Sequence, residues 1–163
     1  MRALPGVTKV VGDFEADLLA KYVAGFADPI ARVREACAAL VEQLRECWGV
    51  DWVFKHVLTP LEPKSMDARW CVRWARLKAW GPVLHSSMSS DVISKAVEVV
   101  VRGSEGEVVP NIRILCAELL AAAADVADDT LVRMTIRPTL EALSNDADAD
   151  VAHYGAAGLA KLG

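Results

Sequence analysis

One seven-residue pattern occurs four times along the chain: an acidic residue, four intervening residues, a β-branched apolar residue and then, in three of the copies, arginine. The copies open at Asp28, Asp67, Glu107 and Asp146, so the successive spacings are 39, 40 and 39 residues. A period this regular constrains the fold more than composition does, because a fixed repeat length means one supersecondary unit stacked on copies of itself. Each copy also opens an amphipathic stretch. In the first, Val33, Ala36, Cys37, Leu40, Val41 and Leu44 recur at helical steps; in the third, Ile112, Leu115, Cys116, Leu119, Leu120 and Ala123 do the same. A second apolar stripe precedes the pattern, formed by Phe14, Leu18, Leu19, Tyr22, Val23 and Phe26 in the first unit and by Ile93, Val97, Val100 and Val101 in the third.

Every unit therefore reads as helix, short turn, helix. The predicted fold is an all-α superhelix of about four helix pairs, with units near 12–48, 49–87, 88–128 and 129–163 after an extension over 1–11. Hydrophobic residues make up 53% of the chain and aromatics only 6%, a balance that suits packed helices better than sheets. Pro60 and Pro138 fall inside the first helix of the second and fourth units, where the missing N–H predicts a bend. Ser90 is placed to cap the helix that follows it.

The repeated acid has a physical task in a tight turn before a helix: its carboxylate can accept bonds from free backbone N–H groups and complement the helix dipole. The arginine six residues on can reach the acid of an adjacent unit. The expectation is a ladder of Asp28, Asp67, Glu107 and Asp146 with Arg34, Arg73 and Arg113, ending where Ala152 stands in place of a fourth arginine.

Catalytic and metal chemistry find little support. Cys37, Cys47, Cys71 and Cys116 form no CxxC pair and have no histidine at ligand spacing, so they read as reduced cysteines packed in a core. His56, His85 and His153 are far apart. No HExxH, GxSxG, GxGxxG or P-loop pattern occurs, so no enzyme, metal or cofactor is expected. Asp128 and Asp129 read as helix capping; Asp146, Asp148 and Asp150 read as a solvated turn, with a basic partner loop or a weakly held cation as the other readings. The longest apolar run is too short to span a bilayer and no signal segment is evident, so a soluble chain in the cytoplasm, or in the nucleus, is expected.

One helix concentrates aromatic and cationic residues, from Arg69 through Trp70, Arg73, Trp74, Arg76 and Lys78 to Trp80. At 100° per residue, Val72, Ala75, Ala79, Trp80 and Val83 form one stripe while Trp70, Trp74 and Leu77 lie almost opposite. A helix with two apolar faces needs two partners. Neighbouring units can cover Trp74, but Trp70 sits in the turn, and tryptophan beside arginine is a typical binding anchor. Trp48 and Trp52 read instead as core or inter-repeat packing.

An acid-x4-Val-Arg turn at this period, with proline in the first helix, resembles the HEAT-repeat family. Val109-Pro110-Asn111-Ile112-Arg113, Ile136-Arg137-Pro138-Thr139-Leu140-Glu141-Ala142-Leu143, Asp146 to Val151 and Gly49-Val50-Asp51-Trp52 are similar to the C-terminal repeats of the scaffold (A, regulatory) subunits of protein phosphatase 2A. The similarity runs from about Gly12 to Gly163. It implies a non-catalytic scaffold whose last four repeats hold a phosphatase catalytic subunit through the turns inside each helix pair. Carried over, the contact positions are Ile30 and Ala31, Arg69 and Trp70, Val109 and Pro110, then Asp148 and Ala149; Ala31 departs from the aromatic residue usual in that family.

Two other functions compete. A HEAT-type adaptor for another protein would use the same Trp70. A nucleic-acid clamp would use the Lys64 to Lys78 cations, against the formal charge of −4 and the acidic fourth unit. The first unit, lacking an upstream neighbour, predicts a partly apolar face able to pair with another copy or with Met1 to Val11.

Overall fold

The computed structural model describes residues 12–62, 69–84 and 89–163, which contain helices and turns and no strand. Among the described residues there are eight helices. They are α1 (Gly12–Gly25), α2 (Ala31–Trp48), α3 (residues 50–61), α4 (Trp70–Lys78, resuming as Gly81–Leu84), α5 (Ser90–Ser104), α6 (Pro110–Ala123), α7 (residues 129–144) and α8 (Ala149–Lys161). Asp67 of the expected ladder and the side chain of Phe14 lie outside the described residues.

Packing follows the 3.6-residue stripes. Helix α1 lies on α2, α5 on α6 and α7 on α8, while the second helices α2, α4, α6 and α8 each touch the next. One continuous apolar core runs from Phe26 through Val57, Trp80, Val97 and Leu120 to Val151. The stripe of Val72, Ala75, Ala79, Trp80 and Val83 is buried. Leu77, on the opposite side of the same helix, is buried as well, because it meets Gly103 of α5.

The prolines do not simply bend their helices. Helix α3 contains a π turn over Phe54–Leu58, just before Pro60, and α7 contains one over Val132–Ile136, just before Pro138. The backbone N–H groups of Thr59 and Arg137 reach back five residues, to the carbonyls of Phe54 and Val132. A widened turn thus absorbs the bonding mismatch that a proline creates in an α-helix. The Thr59 hydroxyl adds a bond of 2.9 Å to the Phe54 carbonyl.

Two glycines set local geometry. Gly49 ends α2 with φ +82°, the left-handed region that a side chain disfavours, and so allows α3 to begin almost at once. Gly155 of α8 lies directly against α7: a Cβ there would fall 2.4 Å from the backbone nitrogen of Ser144.

The structure corrects several expectations. Helix α5 begins at Ser90 itself, and the residue before it, Ser89, makes no side-chain capping bond. Trp48 is half exposed, stacked on Trp52 at 5.2 Å between ring centroids, because it closes α2 at the molecular edge. Of the four cysteines, all free, only Cys37 and Cys116 are buried; Cys71 is half-buried and Cys47 is exposed near the end of α2. No described helix is long and apolar enough to cross a membrane.

Candidate protein-binding surface

The turn between the helices of each pair is built the same way wherever the acid is described. Asp28 Oδ1 accepts from the Ile30 N–H at 2.7 Å, Glu107 Oε1 from Val109 at 3.0 Å, and Asp146 Oδ1 from Asp148 at 2.9 Å. In every case the donor is the residue two positions on, which immediately precedes the helix. The acid therefore fixes the turn rather than capping the helix. The residues so fixed, Ile30, Val109 and Asp148, have φ between −83° and −88°, and Arg69 holds the corresponding place before α4 with φ −48° and ψ 141°. Asp148 alone of these four caps its helix with its side chain, accepting from Asp150 and Val151.

The arginines join consecutive turns. Arg73 grips Glu107 with Nε and Nη2, both at 2.8 Å, and Arg113 grips Asp146 with Nε at 2.8 Å and Nη2 at 3.0 Å. The Arg113 Nη1 also donates to the backbone carbonyl of its own unit's Glu107 at 2.8 Å, so one guanidinium fixes its own turn and holds the next. Arg34 makes the first of these two connections, to the carbonyls of Asp28 and Pro29. Arg69 adds a bond backward, to the Ala27 carbonyl at 3.1 Å.

These pairs perturb the carboxylates in one direction. Burial pushes the Glu107 carboxyl upward, but the Arg73 guanidinium and the Val109 and Val108 N–H groups outweigh it and hold it below the ordinary glutamate range. Arg113, and then the Asp148 N–H, hold Asp146 low in the same way. Both acids therefore stay ionised at neutral pH and keep their turns closed.

Apolar side chains face outward at the heads of the second helices and in the turn before α6. Ile30 is 60% exposed and Trp70 49% exposed, at the heads of α2 and α4. In the third turn the outward residue is Val108, 80% exposed, which the sequence did not single out. Val109, which it did, turns inward and packs partly against the core, and Pro110 is half-buried as the first residue of α6, where no N–H is required. Nothing in the residue types of Val108 and Val109 says which of the two faces outward.

Beside the ridge, the second helices line a groove of about 930 Å³ that includes Trp74, Lys78, Leu115, Glu118 and Tyr154. A smaller depression of about 480 Å³ lies between Trp70, Trp74, Arg34 and Ile114. Trp74 borders both and carries the Lys78 ammonium 4.5 Å from its ring centre, a cation–π contact. Trp70 and Trp74 are thus brought together; Asp148 stands apart, its carboxylate engaged by α8. Among the described residues no group of three or more His, Cys, Asp or Glu could hold a metal ion.

No protein-family model matches the chain, and no curated protein matches it either. The functional reading therefore rests on the repeated turn and on what it displays.

Proposed function

We propose that the chain is a HEAT-type α-solenoid that serves as a non-catalytic scaffold, holding the catalytic subunit of a protein serine/threonine phosphatase on its row of intra-pair turns. The observation that carries the reading is the ridge itself: the turns locked by Asp28 and Glu107 display Ile30 and Val108 outward, and Trp70 stands half exposed at the head of α4 between them. Rigid, pre-formed turns bind with little ordering cost, and a half-exposed tryptophan flanked by arginine suits a binding hot spot. The identity of the partner comes from the similarity of the repeat sequences, with Arg69, Trp70, Trp74, Val109, Pro110 and Asp148 as the contact positions; the geometry favours Trp70 and adds Val108. The same ridge also suits an adaptor for a different protein.

Calorimetric titration with a purified phosphatase catalytic subunit tests the proposal. Binding that weakens on Trp70→Ala, in a variant of unchanged helicity, supports it. Absence of binding, or binding indifferent to Trp70 and Val108, overturns it.

A further inference from the structure

The groove beside the turns carries carboxylates that the fold itself does not use. Glu35 of α2 and Glu118 of α6 are exposed on the helices that flank α4, and both line the groove and the smaller depression together with Trp74, Lys78 and Leu115. Neither carboxylate has an ion pair or a hydrogen bond among the described residues. The groove's third acid, Glu42, is held by Arg45. Arg34, Arg73 and Arg113, on the same second helices, are all drawn to the turns. The fold thus sends its guanidinium groups to the turn edge and leaves acids facing the groove.

Between the two free acids one cation is already in place. The Lys78 ammonium lies 4.5 Å from the centre of the Trp74 ring, at the end of an exposed side chain. Its position shows that this ring face attracts a cation, and a side chain on a flexible four-carbon stem can leave when a better-placed cation arrives. Ala39, Ala122 and Ala157 line other parts of the groove with small side chains, so a peptide backbone can come close. Lys161, the groove's other lysine, is on α8, beyond α6.

From this arrangement we infer that the groove holds an extended basic segment of a partner protein, with one cation over Trp74 in place of Lys78 and others against Glu35 and Glu118. Packed helix axes lie about 8–10 Å apart, so the span from α2 to α6 is about 16–20 Å, which an extended chain covers in about six residues. The segment therefore carries a cation at each end of that stretch and a third midway. An acidic peptide or a nucleic-acid backbone would meet the same carboxylates with repulsion. Neither Ile30 nor Val108 lines the groove, so the site does not depend on which protein the turn ridge holds. Trp74, placed among the ridge contacts by the repeat similarity, belongs by position to the groove.

Fluorescence anisotropy of the full chain with a labelled synthetic peptide tests this. The probe has arginine at both ends and in the middle of a stretch of about six residues, with alanine elsewhere; a comparison peptide has glutamate in the three arginine places. The arginine peptide is expected to bind, more weakly as salt rises, and the glutamate peptide not to bind. Glu35→Gln with Glu118→Gln is expected to weaken binding about tenfold and to flatten the salt dependence. Lys78→Met, which removes the competing tethered cation, is expected to tighten it about threefold, a gain that a merely structural role would not produce. Val108→Ala, on the turn ridge, should leave it unchanged. No binding of the arginine peptide overturns the inference, as does equal binding of the glutamate peptide or of the double glutamine variant. Failure of Lys78→Met to tighten binding overturns it too, and so does loss of binding in Val108→Ala, which would put the peptide on the ridge.

Discussion

Replacing Gly155 by alanine sets two effects against each other. In the interior of an ordinary helix the change is favourable by about 0.5–1 kcal/mol, because glycine loses more backbone freedom on folding. At Gly155 the added Cβ would stand 2.4 Å from Ser144 N, 2.6 Å from Leu143 C and 2.9 Å from Ser144 Cα. All three are backbone atoms of α7, so no rotamer change relieves them. Helices α7 and α8 must separate by roughly 1 Å, and a gap of that size forfeits about a quarter to a half of each dispersion contact along the seam. Overpacking of this kind costs about 1–3 kcal/mol, with the larger values where the obstacle cannot move. Net destabilisation of about 2 kcal/mol is expected, a fall in melting temperature of about 4–8 °C for a chain of this size. Gly103→Ala is the internal control. Its Cβ would meet only the Leu77 methyl carbons, at 3.3 and 3.5 Å, and the Cys116 sulfur at 3.6 Å, so a side chain can yield and the change should lie within about 1 kcal/mol of zero. Urea unfolding followed by circular dichroism measures both. If Gly155→Ala is neutral or stabilising, the close approach of α7 and α8 is refuted.

The ladder should respond to substitution and to pH. Glu107→Gln, which leaves Arg73 facing a neutral amide in a buried site, is expected to cost about 2–3 kcal/mol, and Asp146→Asn about 1–2 because that pair is wetter; a double-mutant cycle of Glu107 with Arg73 should return a coupling above about 1 kcal/mol. Glu107 and Asp146 have folded pKa values below their ordinary 4.5 and 3.8, so their stabilisation is complete above that range and is lost as pH falls through the lower folded values. Urea midpoints between about pH 6 and pH 3 should therefore decline in the wild type and decline less in an Arg73→Met, Arg113→Met variant. Trp70→Ala should weaken partner binding by about 2 kcal/mol, roughly 30-fold in Kd, while changing stability by less than about 1 kcal/mol. Thiol titration of the native protein should label exposed Cys47 first and leave Cys116, which is buried and has its thiol pKa pushed up, unreactive until unfolding.

The helices were legible because burial imposes a 3.6-residue rhythm, which leaves its mark on residue type. The three described turn acids, Asp28, Glu107 and Asp146, were legible from their regular spacing, and each accepts from the N–H two residues on. What was hidden depended on distances rather than patterns. The π turns arise from how Pro60 and Pro138 compete with backbone bonding over five residues, and the apolar pattern is indifferent to that choice. Trp48 reads from the sequence as core or inter-repeat packing, yet it closes α2 half exposed, stacked on Trp52. Val108 and Val109 are chemically identical neighbours, so residue type does not say which faces out; the folded turn exposes Val108 and packs Val109 partly against the core.

The bonds from Arg73 to Glu107 and from Arg113 to Asp146 lie along the edge that carries the turns; Glu62, at the end of α3, is held by Arg102 and Lys95 of α5, and much of the remaining contact is apolar. Charge-assisted bonds of 2.8 Å resist stretching steeply, while greasy surfaces slide and part at small cost. The units should therefore move like the leaves of a fan, pivoting on the pinned margin and spreading at the free one. A partner seated on Ile30, Trp70 and Val108 would rest on the pivot line, where the spacing of its footholds changes least as the leaves open.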